Sequence, residues 1–381
     1  MSESNTPAVA QGRELRSLIS QGGEVILSLE AVEYTAPAAH EVLVRMEAAP
    51  INPSDGILLP GPADLSRARV EENAQGPVIK APVPADYRAA VASRVGLSLP
   101  VGNEGAGTVV EAGADCQHLK GKKVALFGGG MYADYRKIDA ASCLELPDDA
   151  SAEEGASSFV NPLTALSMVE TMRMEGHQAL ILTAAAANLG QMLNKICLQD
   201  GVPLVNIVRK EAQVQLLKDL GARYVCNSSH DNFMDELTDA VEQTGARLAF
   251  DAVGGGELAS QILQAMEAAA KRQESGFSPY GSSQHKQVYI YGGLDRSPTV
   301  IDRSIGMAWS VGGWLLPTFM AKAGPDVVQR MKQRVRDELK TTFASHYTQR
   351  ISLQDALDPK RIAAYSQHAT GEKYLIEPQA R

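Results

Sequence analysis

The residue pattern predicts an α/β protein: a β-rich stretch, then alternating strands and helices, then a short return segment. Three observations carry this reading. Apolar residues alternate along 24–33 (EVILSLEAVE) and 41–48 (EVLVRMEA), the period of half-buried strands. From about Asn161 onward, short apolar runs alternate with helical segments, the pattern of a parallel sheet covered on both faces. The length of 381 residues corresponds to about two domains at roughly 150 residues each.

The elements follow in order. Segment 1–17 (MSESNTPAVAQGRELRS) is polar and reads as a frayed lead-in to the first strand. Strands at 24–33 and 41–48 flank the turn-like TAPAAH, and further strands are expected at 105–111 and 123–127. Between Asp55 and Pro100 glycine and proline are dense, which predicts loop with one short helix at 85–93. In the second part, strands at 179–183 (ALILT), 204–208 (LVNIV), 224–226, 248–252 and 288–291 enclose helices at 188–199, 212–220 and 231–243. Segment 266–287 is polar and reads as a surface excursion. Helices at 326–340 and 352–356 and a strand at 373–377 complete the chain.

Composition removes several function classes. Lys plus Arg total 36 against 45 for Asp plus Glu, a formal charge of −9, so no nucleic-acid partner is expected and a small molecule is the better ligand. No apolar run reaches the eighteen residues of a membrane span, so no membrane role is expected. The start of the chain lacks the apolar run of a secretory leader. Cys116, Cys143, Cys197 and Cys226 are far apart with no CxxC pair, which argues against a disulfide framework or a cysteine-rich zinc site. A cytoplasmic protein is the expectation.

The strongest local signal is ALILT-AAAANLGQMLNKIC, a strand, a turn and a helix. A dinucleotide site needs a tight turn, close backbone approach to the pyrophosphate, and a helix N-terminus for the anion. Of the usual glycines only Gly190 is present; Ala184, Ala187 and Asn188 stand where glycine or alanine is common. A buried turn of another α/β protein fits this stretch equally well. The next strand adds a sign: Arg209 and Lys210 fall about 20 positions after the turn, where an NAD site places a carboxylate. Two cations suit the 2′-phosphate of NADPH, or simply end a solvated strand.

Nine segments then appear in one order: INPSD (51–55), VGNEGAGTVVEAG (101–113), KKVALFGGGMYADY (122–135), NPLTAL (161–166), ANLGQ (187–191), DLGARYV (219–225), FDAVGG (250–255), IYGGL (290–294) and GEKYLIEP (371–378). In these the chain resembles the medium-chain dehydrogenase/reductase superfamily, in its zinc-independent branch of quinone oxidoreductases and enoyl reductases. The resemblance implies a GroES-like β-rich catalytic domain over 1–160 and 345–381. It implies a Rossmann doubly wound parallel-sheet domain for NADPH over 161–344, and a homodimer. Zinc-dependent relatives carry a cysteine and a histidine where this chain has Asn52 and Asn103. Neither asparagine offers a thiolate or imidazole, so no metal is expected.

The activity implied is NADPH-dependent hydride transfer to a quinone or to the activated C=C of an α,β-unsaturated carbonyl compound. The alternatives are an enoyl thioester reductase and a non-catalytic NADPH-binding protein. By the resemblance, Asn161 and Thr164 lie beside the cofactor, Ala187, Asn188, Leu189 and Gly190 hold the pyrophosphate, and Arg209 with Lys210 the 2′-phosphate. Tyr291, Gly292 and Gly293, then Gly313, Trp314 and Leu315, line the rest of the cofactor, and Lys373 meets its phosphate. Trp314 also suits core packing, and Lys373 an ordinary strand edge. Asn52 and Tyr87 are the catalytic candidates. Tyr87 is the only tyrosine between Asp55 and Gly102 and could supply a proton, or simply pack its ring.

Overall fold

A computed structural model describes residues 8–274, 276, 278–366 and 372–380. By internal contacts the chain divides into a first unit, residues 1–160 with 334–381, and a second unit, residues 161–333.

The first unit is built on antiparallel sheets. Strands Ala8–Ile19 and Glu24–Thr35 form a long hairpin, closed by a turn in which Gly23 takes φ +76. The expected frayed lead-in is therefore wrong from Ala8 onward, while residues 1–7 lie outside the described residues. The strand is real because its inner half alternates: Leu15, Ser17 and Ile19 are buried. Its polar outer residues are held by ion pairs, Arg13 with Asp134 at 2.9 Å and Arg16 with Glu14 at 2.5 Å.

Segment 55–102 is also corrected. Arg69–Asn73 and Gly76–Pro82 pair as a hairpin that extends this sheet. The helix expected at 85–93 is replaced by two 3-10 turns, Ala85–Tyr87 and Ala92–Arg94. A second sheet runs in the order Cys143–Glu145, Lys123–Phe127, Glu104–Ala112, Glu41–Pro50, Tyr374–Ile376 and Gln349–Ile351. Tyr374–Ile376 lies antiparallel to Glu41–Pro50 and parallel to Gln349–Ile351. The helix expected at 352–356 shrinks to a 3-10 turn, Asp355–Leu357, followed by the helix Pro359–Tyr365.

In the second unit the parallel sheet has the order Tyr224–Asn227, Leu204–Val208, Leu180–Thr183, Leu248–Asp251, Lys286–Ile290 and Trp309–Gly313. Counted along the chain this is 3-2-1-4-5-6, the order of a doubly wound dinucleotide-binding sheet. Every residue of Leu180–Thr183, Leu204–Val208 and Leu248–Asp251 is buried, as a sheet with helices on both faces requires. The core joins Ile181, Val205, Ile207 and Ala249 to Leu237, Val241, Ile262 and Met266 of the covering helices.

The surface excursion expected at 266–287 is exposed at 271–273, 276, 278–280, 283 and 285, but its two ends also carry buried residues. The helix Leu258–Gln273 buries Met266, Glu267, Ala269 and Ala270. Lys286 is fully buried and donates to Glu267 Oε2 at 2.7 Å, to Ser282 Oγ at 3.0 Å and to the Gln284 carbonyl at 3.1 Å. Burial pushes the Glu267 carboxyl up, but Lys286 and Ser282 outweigh it and hold the group ionised. A satisfied buried ion pair of this kind is hidden in a polar stretch of sequence because each charge reads as exposed by itself.

Candidate functional site

The chemistry of the second unit gathers at the C-terminal edge of its sheet. Thr183 is paired with Ile207, so the turn that starts at Ala184 leaves the sheet beside the end of Leu204–Val208, where Arg209 and Lys210 stand exposed. Ala184 has φ +50, a left-handed conformation unusual for a residue with a Cβ. It does here what glycine does in the common form of this turn. Ala185 and Ala186 are buried beneath it.

The helix Asn188–Asp200 begins at once, and its N-cap, Ala187, supplies no side-chain bond. Its first-turn amides thus lack an N-cap side-chain acceptor, in an arrangement suited to an anion. Gly190 is required where it stands: a Cβ there would lie 2.1 Å from the Ala185 carbonyl oxygen. The turn and the neighbouring strand are tied from below by a reciprocal amide pair. Asn194 donates to Asn206 Oδ1 at 2.7 Å, and Asn206 donates back at 3.1 Å, both buried.

Other expected cofactor residues lie on the same edge. Asp251, buried at the end of its strand, accepts the Thr183 hydroxyl at 2.7 Å and the amides of Val253 and Gly254, so it shapes a turn. Tyr291 follows the next strand, and its amide donates to the Asp251 carbonyl at 2.9 Å. Burial pushes its phenol up. Gly292 packs so closely that a Cβ would lie 2.6 Å from the Ala252 oxygen, whereas Gly293 has open space. Gly313 ends the edge strand and Leu315 is 62% exposed. Trp314 is a packing residue: its ring meets Phe250 edge-on at 5.6 Å, and its indole N–H donates to Thr171. Asn161 and Thr164 lie on the helix Val160–Met174, Thr164 buried within it.

The first unit holds a second polar centre. Asn52 is 3% exposed; its side-chain amide donates to Glu104 Oε1 at 2.8 Å, and its backbone amide to Asp55 Oδ2 at 2.8 Å. Asp55 Oδ1 takes the Asn103 amide at 2.8 Å. Glu104 Oε2 takes the amides of Phe159 at 2.9 Å and Val160 at 2.8 Å. Burial raises both carboxyls, Asp55 to about 7, against those amides and, for Glu104, against Lys373.

Lys373 is not an ordinary strand-edge lysine. Its Nζ donates to Ser157 Oγ at 2.7 Å, lies 5.4 Å from the Tyr347 ring centre, and is pushed down by burial to about 8. Ser157 in turn shares a hydrogen bond of 2.9 Å with Tyr347.

Tyr87 hydrogen-bonds to none of these groups among the described residues. It ends an exposed 3-10 turn, is 41% exposed, and its phenol makes no hydrogen bond among the described residues. Sequence reasoning missed the roles of Asp55, Glu104, Ser157 and Tyr347. Glu104 did carry a signal, a carboxylate opening an apolar strand. Ser157 and Tyr347, 190 residues apart, carried none.

Two family descriptions match the chain: alcohol dehydrogenase GroES-like domain over residues 38–148, and zinc-binding dehydrogenase over residues 188–303. The mitochondrial enoyl-[acyl-carrier-protein] reductase of Xenopus tropicalis is 28% identical over 287 residues, 72% of this chain and 68% of its own. The chain spans 56–68% of the length of the mitochondrial enoyl reductases it matches. A candidate NADPH:quinone reductase from Mesorhizobium loti superposes with a TM-score of 0.71 at 25% identity, over 99% of this chain and 100% of that one. The Escherichia coli quinone oxidoreductase solved with NADPH shares the fold, at a TM-score of 0.66 and 19% identity over 97% and 100% of the two chains.

Proposed function

Because the chain belongs to the medium-chain dehydrogenase/reductase superfamily, we propose that it is an NADPH-dependent oxidoreductase working without zinc. Its acceptor is a quinone or the activated C=C of an α,β-unsaturated carbonyl compound. The observation that carries this reading is the left-handed turn at Ala184, feeding a helix without a side-chain N-cap, with Arg209 and Lys210 exposed on the adjacent strand.

Each part has a physical task. The first-turn amides of Asn188–Asp200, with the partial positive charge of the helix end, hold the pyrophosphate. Gly190 and the left-handed Ala184 let the backbone approach it. Arg209 and Lys210 neutralise the 2′-phosphate that separates NADPH from NADH. Asn161, Thr164, Tyr291, Gly292, Gly293, Gly313 and Leu315 flank the remaining length of the cofactor, with Trp314 as their packed support. The cofactor, when bound, supplies the hydride.

Zinc does not fit the residues present. No group of three or more His, Cys, Asp or Glu able to hold a metal occurs among the described residues. At the former ligand position Asn52 presents an N–H to Glu104, and both oxygens of Asp55 are already taken by amides. A donor facing a carboxylate is the reverse of a metal ligand. Asn52 therefore acts by fixing Glu104, which balances the charge of Lys373, and Lys373 offers its ammonium to a cofactor phosphate. Tyr87, exposed and unbonded through its phenol, is assigned as proton source for alkene reduction; unchanged enone turnover in Tyr87→Phe would return that role to water. An enoyl thioester as acceptor is the second reading, favoured by the 28% identity to the Xenopus enzyme.

Fluorescence titration with NADPH and NADH, followed by absorbance at the reduced-nicotinamide band with a panel of quinones and enones, tests the proposal. Tight NADPH binding with oxidation by an acceptor is expected. In Arg209→Ser/Lys210→Ser, loss of two charge-assisted contacts should weaken NADPH by at least about tenfold and leave NADH within about twofold. Equal losses for both cofactors would remove the 2′-phosphate assignment. NADPH binding without oxidation by any acceptor would leave a binding protein instead of a reductase.

A further inference from the structure

Arg136 is a cation without a partner. It lies on the strand Tyr135–Asp139 and is only partly exposed, and its Nε is enclosed with nothing to bond. No hydrogen bond or ion pair reaches its guanidinium among the described residues. The carboxylates that act with Arg136 on Tyr34 are bonded to other arginines: Asp134 takes three bonds from Arg13, at 2.8, 2.9 and 3.1 Å, and Glu14 takes one from Arg16 at 2.5 Å. A partly desolvated, unpaired cation is costly unless an anion visits it.

The loop at 128–130 shares that space. Gly128, Gly129 and Gly130 have φ of +139, +86 and +74, a run that only glycine adopts without strain. The amides of Gly129 and Gly130 donate to nothing among the described residues, and successive free amides in a turn make an anion-binding concavity. A Cβ on Gly130 would lie 3.3 Å from both Nε and Cζ of Arg136, so loop and guanidinium border one volume. The loop is fastened to the turn that carries Asn103: Gly128 donates to the Asn103 carbonyl at 3.3 Å, and Met131 to that of Gly102 at 3.2 Å. Glu104 is the next residue along.

We propose that Arg136 and the amides of Gly129 and Gly130 form an oxyanion subsite beside the Asn52–Glu104 centre, and that the acceptor carries a carboxylate or a phosphate. The second clause rests on the oxidoreductase reading; the subsite itself does not. The carboxylate of a free unsaturated acid and the phosphate of a phosphopantetheine-linked thioester share the chemistry, since each offers oxygens to a guanidinium and to two amides.

Two matched pairs of acceptors test it on the whole protein. One is a 4-oxo-2-pentenoate and its methyl ester; the other is a crotonyl thioester of phosphopantetheine and of pantetheine. Wild-type kcat/KM should favour the charged member of one pair by about tenfold or more, which also assigns carboxylate or phosphate. Arg136→Gln should erase that preference and Arg136→Lys should retain part of it, with turnover of a neutral quinone within about twofold of wild type in both. The same charged-to-neutral ratio in wild type and Arg136→Gln, with quinone turnover intact, overturns the inference and leaves the reductase reading standing. If no acceptor is reduced, calorimetric binding of inorganic phosphate decides the subsite alone: binding lost in Arg136→Gln upholds it, and no binding to wild type overturns it.

Discussion

Replacing Gly190 by alanine is expected to reduce NADPH affinity by about 100-fold, equivalent to about 3 kcal/mol. The added Cβ would stand 2.1 Å from the Ala185 oxygen and 2.6 Å from its carbonyl carbon. Both are backbone atoms in a buried turn, so the clash cannot be relieved by rotating a side chain. The helix must move away from the turn, and its first-turn amides move with it. Overpacking of this sort costs the fold about 1–3 kcal/mol as well. A fluorescence titration and a denaturant melt of the variant, run together, separate the two losses. Unaltered NADPH affinity in a stable Gly190→Ala protein would mean that the pyrophosphate is bound elsewhere.

The second large effect is expected at Glu104. Its carboxylate accepts three N–H groups, from Asn52, Phe159 and Val160. Glutamine offers one oxygen and one amide nitrogen, so Glu104→Gln sets at least one donor against another in a fully buried place. It also removes the charge that favours the ammonium of Lys373. Breaking one partner out of a buried charged network costs about 3 kcal/mol, read as a fall in the denaturant midpoint. The pKa of Lys373 should fall further from about 8, because Glu104 is the first of the groups that oppose its burial. NADPH oxidation that depends on the Lys373 charge would then be lost at lower pH than in the wild type. A midpoint equal to that of the wild type would show that Glu104 is not needed as an anion.

Much of this was readable in the sequence, for physical reasons that differ by residue. The parallel strands were legible because burial on both faces demands near-continuous apolar runs such as ALILT and LVNIV, the latter broken only by Asn206, which Asn194 satisfies. Gly190, Arg209 and Lys210 were legible because close approach and charge neutralisation each restrict the residue type. The strand Ala8–Ile19 was hidden because its outer residues are charged, and only ion pairs such as Arg13–Asp134 make them compatible with a sheet. The segment at 85–93 looked helical by composition, yet it folds as separate 3-10 turns. Arg94, just beyond it, donates to the Ile57 carbonyl at 3.0 Å and the Ser17 hydroxyl at 3.0 Å, contacts set by the fold and not by local sequence. The surroundings of Lys373 could not be read at all, since Ser157 and Tyr347 meet it only through the fold.

The discontinuity of the first unit has a consequence for synthesis. Residues 161–333 are contiguous, so that unit can complete its sheet while translation is still under way. The first unit cannot, because Tyr135–Asp139 pairs only Glu41–Arg45 on one side of Glu41–Pro50, and Ala49 and Pro50 wait for Tyr374–Ile376. Until those residues are made, the nascent first unit presents the unpaired end of this strand to the ribosome's surroundings. An unpaired edge is where chains stick to one another. The yield of folded protein in cells should therefore depend on how quickly the last segment is delivered, and on whether a chaperone holds that edge until it arrives.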